Sequence, residues 1–263
     1  MSRAKPFAFL RALRSLNVDL APLDPAEDSL AARPRRLFQR LEKLGYAIEH
    51  ARPSAAVLRG FGFRPRTVFD IGVHAGTPLI YRSFPDARFL LVDPMAECEA
   101  RIAKWRERID LEFHCCALGA EEGETEINLP VTGRRRAVAR ASVRDFAPGY
   151  REGFESVEKR TVPLRRLDSM AAAAEPPFGI KIDTEGYELE VIQGAEETLR
   201  RTEFVIAEVS VRQRFAGGYR FSELVGALGR HGFEPLDFLR PLRPDSPDCD
   251  LLFARYDGPH FAL

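Results

Sequence analysis

No run of about 18 consecutive apolar residues, the length a membrane-crossing helix needs, occurs in the 263-residue sequence. The N-terminal segment MSRAKPFAFLRALRSLNVDL does not make a secretory leader, because Arg11 and Arg14 interrupt its apolar stretch, which has to extend over about 7–15 residues. The chain therefore reads as a soluble, cytoplasmic protein. Neither sign of charge is in excess: Lys+Arg and Asp+Glu each number 39, for a net charge of zero. Proteins that bind nucleic acid leave a basic footprint, so no nucleic-acid partner is expected. Cysteine is scarce. Cys98, Cys115, Cys116 and Cys249 form no Cys-x-x-Cys pair, which excludes a zinc ribbon and a dithiol redox motif. Cys115 and Cys116 are neighbours in an extended stretch, where successive side chains take opposite faces, so one is expected in the core and the other near the surface.

What is present is enough apolar material for one large α/β domain: 45% of the residues are hydrophobic. Residues 1–62 read as a helical, Arg-rich preface with Phe38, Leu41, Leu44 and Ile48 at helical spacing. Packing against the main domain is the plain role for that preface. A lid or a dimer contact, and with it a homo-oligomer, is the alternative. From residue 63 onward strands and helices alternate. TVFDIG (67–72), ARFLLVDP (87–94), LEFHCCAL (111–118), PFGIKID (177–183) and EFVIAEVS (203–210) read as strands. Strands around 233–239 and 250–256 close the chain, with helices over 95–108, from Tyr187 and from Phe221 to His231. GETEINLP (123–130) alternates as a further strand, EKRTVPL (158–164) is short and extended, and residues 131–154 read as a loop. This order implies a doubly wound, mainly parallel sheet covered on both faces.

In such sheets ligands bind beyond the carboxyl ends of the strands, where the strand order reverses. After the first strand comes Asp70-Ile71-Gly72-Val73-His74-Ala75-Gly76, whose glycines let the turn pass close to a ligand. After the second comes Val92-Asp93-Pro94. An acid about 20 residues beyond the glycine turn accepts hydrogen bonds from ribose hydroxyls. Asp93 also stands where a helix cap would stand, before Pro94 at a first helical position. A dinucleotide fits poorly. His74 occupies the place where a second glycine would admit a pyrophosphate, and Asp70 at the mouth of the turn would repel one. S-adenosylmethionine has no phosphate, and its sulfonium and ammonium favour nearby acids.

Together with these segments, Ala117-Leu118, Lys181-Ile182-Asp183-Thr184-Glu185-Gly186-Tyr187-Glu188, Val191-Ile192-Gln193-Gly194-Ala195 and Val205-Ile206-Ala207-Glu208 resemble the FkbM-type methyltransferase family over roughly residues 66–240. The Lys-x-Asp-x-Glu-Gly segment is the specific part. The resemblance implies a Rossmann-like methyltransferase fold with a seven-stranded sheet, S-adenosylmethionine as cofactor, and O-methylation of a sugar, glycan or natural-product hydroxyl. It places Asp70, Gly72, His74, Gly76, Asp93, Pro94, Cys116 and Ala117 around the cofactor. Three departures stand out: His74 where the family often has Asn, Asp93 where it often has Glu, and Cys116 where a polar residue is usual.

Methyl transfer asks the protein to align the acceptor oxygen and help remove its proton. Asp183, Glu185 and Glu208 end adjacent strands and are the expected catalytic carboxylates, with His74 as an alternative base because its ordinary pKa is near neutral. Like charges this close need a cation. Lys181, which alternates with Asp183 along its strand, the donor itself, or a divalent metal on Asp183, Glu185 and Glu208 would serve; the metal is not the favoured choice. Lys181 is also a candidate for substrate contact. Arg134, Arg135 and Arg136 in the Arg-rich loop suit an anionic acceptor, with a solvated surface as the plain alternative. Two other functions stand against methyl transfer: an NAD-type oxidoreductase, and a non-catalytic module that keeps the cofactor.

Overall fold

The structure, a computed structural model, describes residues 54–133, 135–240 and 246–262. Phe38, Leu41, Leu44, Ile48 and Arg134 lie outside the described residues, and so do the expectations placed on them. One compact unit runs Arg52–Leu263. It begins ahead of the boundary expected after residue 62, because the first described helix, α1 (Ala55–Gly60), buries Leu58 in one core cluster with Val68 and Ile80.

The main sheet has seven strands: β1 (Thr67–Ile71), β2 (Arg88–Val92), β3 (Asp110–His114), β8 (Phe178–Ile182), β9 (Thr202–Ser210), β10 (Phe233–Arg240) and β11 (Asp248–Arg255). Their spatial order is β10-β11-β9-β8-β1-β2-β3. Only β11 runs antiparallel to its neighbours β9 and β10; the other pairings are parallel. Strand order reverses at β1, which lies between β2 and β8, so the crevice belongs at its carboxyl end. Both faces of β1 and β8 are covered, and every residue in them is buried. That is why these strands read as continuous apolar runs. Phe69 of β1 packs edge-on to Phe178 of β8 at 5.4 Å.

Asp70 and Lys181 are the charged exceptions in those runs. They are register partners across the β1–β8 pairing. The helices are short: α2 (Pro78–Ser83), α3 (Glu97–Ile102) continued by a 3-10 turn at Ala103–Trp105, α4 (Pro148–Arg151), α5 (Leu167–Ala171), α6 (Glu188–Gln193), α7 (Glu196–Leu199) and α8 (Phe221–Arg230).

The region between β3 and β8 departs most from the sequence reading. The expected strand 111–118 is two strands. After β3 the chain leaves the main sheet at Cys115 and Cys116 and re-enters extended structure as β4 (Ala117–Leu118) in a second sheet. Cys115 is exposed and Cys116 buried, as expected, but through this crossing and not through strand alternation. The second sheet has the order β4-β7-β5-β6 and is built on the long antiparallel pairing of β5 (Gly123–Thr132) with β7 (Ser156–Arg165). The expected loop 131–154 contains β6 (Arg135–Arg136), a 3-10 turn at Val138–Arg140, and α4.

The turn after β1 is set by a close backbone approach. Gly72 has φ +78, and a Cβ there would lie 1.7 Å from the carbonyl oxygen of Asp183. The glycine therefore lets the β1 turn sit against the β8 turn; the space is filled by protein, not ligand. Gly76 is similar, because a Cβ would meet the Trp105 indole and the Tyr81 ring. Gly72→Ala combines a left-handed conformation, about 1–2 kcal/mol, with an overlap worth about 1–3 kcal/mol. It should lower unfolding free energy by about 2–5 kcal/mol in urea titration; a loss below about 1 kcal/mol would show that the two turns do not touch.

Candidate active site

A cleft opens beyond the carboxyl ends of β1, β2, β8 and β9. Its empty volume is about 800 Å³ with the open mouth included. Its walls take Gly72, His74, Asp93, Pro94, Cys116, Ala117, Asp183, Glu185 and Glu208 of the expected residues. Asp70, Gly76, Lys181, Arg135 and Arg136 do not line it.

Asp93 follows β2 and is nearly buried. Its Oδ2 accepts from the His74 N–H at 2.9 Å, and its Oδ1 accepts from the Met95 N–H at 2.9 Å. The cleft position holds, but the expected helix cap does not: α3 starts at Glu97 with Ala96 at its N-cap and no side-chain cap bond, and the Met95 bond closes a turn ahead of it. A carboxylate offers about four acceptor positions, so the two amides leave capacity toward the cleft. Burial raises its pKa above the ordinary carboxylate range.

Asp70 is fully buried beneath the β1 turn, where it accepts from Thr77 Oγ1 at 3.0 Å and Tyr81 Oη at 2.5 Å. It anchors the turn from below, so it neither contacts a ligand in the cleft nor stands in the way of a pyrophosphate. His74, with φ +46, does stand at the turn. Its Nε2 is in contact with the Arg101 guanidinium. Burial first and Arg101 second lower its pKa, so the ring is neutral at neutral pH and Nε2 is engaged by Arg101. That nitrogen is not free to take a proton from an acceptor.

The three carboxylates expected at the strand ends do converge. Oxygens of Asp183, Glu185 and Glu208 lie within 4.8 Å of one another. Each has its own cation. Lys181 Nζ donates to Asp183 Oδ2 at 2.6 Å, Arg214 Nη1 to Glu185 Oε2 at 2.8 Å, and Arg240 Nη2 to Glu208 Oε1 at 2.6 Å. Arg214 also reaches Glu208 at 3.3 Å and Asp248 at 3.2 Å, and Arg240 pairs with Asp248 and Asp250. Lys181 is therefore a buried counter-ion and not a substrate contact. Burial opposes its charge, but the carboxylates of Asp183 and Asp70 prevail and raise its pKa.

The three acids titrate differently. Asp183 is held below its ordinary value: burial opposes this, but the Lys181 ammonium and its hydrogen bond prevail. Glu185 is pushed up to about 7, chiefly by burial. Glu208 is pushed up to about 9 by burial and by the charges of Asp183 and Glu185. Asp183 is thus the ionised member, and Glu208 keeps a proton, which it shares toward Asp183. A divalent ion on Asp183, Glu185 and Glu208 would have to compete with the cations already there. One oxygen of each acid is already bonded to a cation, and two guanidiniums supply the opposing charge.

The Arg-rich segment turns its other side to the cleft. Val138, Ala139, Ala141 and Val143 form that wall with Ile127. Arg136 makes a two-pronged pair with Glu158 of β7, at 2.7 and 3.1 Å, and Arg135 is exposed. Neither meets the cleft, because both lie in β6 at the far edge of the second sheet.

A family model described as the methyltransferase FkbM domain matches residues 70–235, more than half of the chain. The chain belongs to the FkbM methyltransferase domain family. No curated protein matches the sequence. Solved structures with similarity to this FkbM domain include the methyltransferase FkbM from Methylobacillus flagellatus KT, at 15% identity and a TM-score of 0.46. The match covers 77% of this chain and 48% of that one, so the present sequence spans about half that relative's length. Two others are a 1,6-didemethyltoxoflavin-N1-methyltransferase from Burkholderia thailandensis and a putative O-methyltransferase from Klebsiella pneumoniae. The former has 19% identity, a TM-score of 0.40, and 89% and 93% of the two chains covered. The latter has 16% identity, a TM-score of 0.39, and 93% and 96% covered.

Arg214, Arg240, Asp248 and Asp250 were not among the residues expected at the site. Arg214 follows β9, Arg240 ends β10, and Asp248 and Asp250 begin β11. Only the sheet order brings them together, so no local motif announces them. The raised Glu185 pKa has a testable sign. The folded state holds that proton more tightly than the unfolded chain, whose value is near 4.5. The resulting stabilisation is complete below about 4.5 and is lost as pH rises toward 7, at no more than about 1.4 kcal/mol per pH unit. Between pH 5 and 7 the thermal midpoint of wild type should fall relative to that of Glu185→Gln. Parallel curves would mean that Glu185 titrates as a free carboxyl.

Proposed function

We propose that this FkbM domain transfers a methyl group from S-adenosylmethionine to a hydroxyl of a sugar, glycan or other small natural product. One observation carries the reading: a single cleft has a buried acid with spare acceptor capacity at one end, Asp93, and an ionised acid with its own counter-ion at the other, Asp183. The cleft lies at the strand-order reversal, where open α/β sheets bind their ligands. Asp93 would take the ribose hydroxyls. Cys116, Ala117 and Leu118, all in the wall, give an apolar seat for a base.

The cofactor, when bound, supplies a methyl group already activated on a sulfonium. The remaining work falls to residues of the chain. Asp183 orients the acceptor hydroxyl and takes its proton, because Lys181 keeps it ionised. Glu208, protonated beside it, donates to Asp183 and limits charge accumulation. Glu185 faces the same cleft from the following turn. The apolar wall of Ile127, Val138, Ala139, Ala141 and Val143 excludes water from the other side. That wall, which takes no guanidinium from the described residues, suits an acceptor that is uncharged near its reacting hydroxyl.

Methyl glycosides, myo-inositol and a sugar acid, assayed for S-adenosylhomocysteine formation, test this reading. Asp183→Asn should fold and bind S-adenosylmethionine yet lose roughly 10²–10⁴-fold in turnover, the usual contribution of a general base. Near-normal turnover would remove Asp183 from the chemistry. Asp93→Ala should weaken cofactor binding by about 1–3 kcal/mol in calorimetry, and an unchanged affinity would take Asp93 out of the site. Replacing Arg135 and Arg136 by Ser should leave acceptor KM unaltered; a rise confined to the sugar acid would restore the anionic-acceptor reading.

A further inference from the structure

We propose that Arg214, which does not itself line the cleft, is a positioning residue for the acceptor end of the site: it fixes the carboxylate of Glu185 there, while Ser142 of the second-sheet region fixes the same residue's main chain. The inference rests on the reading that Glu185 faces the acceptor.

Glu185 has φ +54, in the left-handed region that side-chain-bearing residues avoid. Such conformations persist where the surroundings over-determine them, and here they do. The Ser142 hydroxyl, almost fully buried, donates to the Glu185 carbonyl at 2.6 Å and accepts from the Arg144 N–H at 3.0 Å. Ser142 is in turn bridged to Asn128 of β5 by two main-chain hydrogen bonds, of 2.7 and 3.1 Å. On either side of Glu185, the N–H groups of Thr184 and Gly186 donate to the buried carboxylate of Glu188 at 2.9 and 3.1 Å. At Gly186 a Cβ would meet the Phe215 ring at 2.4 Å, so the ring closes directly on the turn.

The side chain is fixed as firmly as the main chain. Arg214 Nη1 donates to Glu185 at 2.8 Å. The guanidinium is held in turn by Ser210 at 3.1 Å, Glu208 at 3.3 Å and Asp248 at 3.2 Å, and it lies over the Phe215 ring. Arg214 is only 6% exposed, and its Nε is buried with no hydrogen-bond partner among the described residues. The acids, not the arginine's own full set of bonds, therefore decide its pose. Simple structural filling of this space would not need a charge aimed at a strained residue in a cleft wall.

The test compares Arg214→Met, Arg214→Lys and Ser142→Ala, each in wild-type and Glu185→Gln backgrounds. Turnover is read with methyl glycosides and myo-inositol, cofactor affinity by calorimetry, and amide hydrogen exchange at Thr184–Gly186 by mass spectrometry. Arg214→Met should lower kcat by about 10–100-fold, the cost of a small misplacement, with cofactor Kd within about threefold. In the Glu185→Gln background the same change should cost less than about threefold, because residues acting through one another are not additive. Arg214→Lys should recover part of the loss. Equal losses in both backgrounds, or an unaltered kcat, would overturn the proposal. If Arg214→Met does not fold, Arg214→Lys and Ser142→Ala carry the same comparison. If wild type methylates none of these hydroxyl compounds, the reading of function fails on its own, and exchange decides the inference. Faster exchange at Thr184–Gly186 in the Arg214 variants supports it, and wild-type exchange overturns it.

Discussion

Three carboxylates at the ends of two neighbouring strands repel one another, and the arrangement of Lys181, Arg214 and Arg240 answers that repulsion. Removing charge from water is costly unless it is paired and hydrogen-bonded. Each acid therefore has a cation, and each cation comes from a different place: within β8, after β9, and at the end of β10. The cations do not cancel the acids equally. Lys181 bonds Asp183 at close range from the same strand face and keeps it ionised, whereas burial keeps a proton on Glu208. Environments that separate the pKa values of adjacent acids are how one site holds both a proton acceptor and a proton donor.

The same constraint links the parts of the fold. Lys181 has Asp70 as its register partner on β1, and Asp70 holds Thr77 and Tyr81 of the turn and helix that follow. Gly72 brings that turn against the carbonyl of Asp183. From the other side, the second sheet supplies the apolar wall and, through Ser142, a bond to the turn carrying Glu185. The cleft is thus walled by main-sheet turns below and by an insertion above, and the charged cluster is where the two meet.

Much of the main sheet is legible in the sequence. Buried parallel strands are continuous apolar runs, so β1, β2, β8 and β9 are found within a residue or two. The helix after Glu185 and the helix from Phe221 also appear where expected. The insertion is not legible. β6 is two exposed arginines paired back on Val131 and Thr132 of β5, too short and too polar for an apolar periodicity to mark it. The 111–118 run hides a crossing between sheets, because the apolar pattern continues through Cys115 and Cys116 while the pairing changes. For the site, a strand-end rule brings Asp93, Asp183, Glu185 and Glu208 to the cleft wall, whereas Asp70, Gly76 and Lys181, expected beside them, lie behind it. Burial, which depends on the whole fold, makes that distinction. Arg214 and Arg240 are legible only from the sheet order, since their partners lie on other strands.

A crystal structure of the chain with S-adenosylhomocysteine is the most direct test of the central claim, that one cleft joins a ribose acid to an ion-paired acid at the reacting end. The account predicts ribose hydroxyls on Asp93, the base against Cys116–Leu118, and the thioether end directed toward Asp183, with the Lys181 and Arg214 pairs intact. Binding outside this cleft, or in it with the ribose away from Asp93, would contradict it.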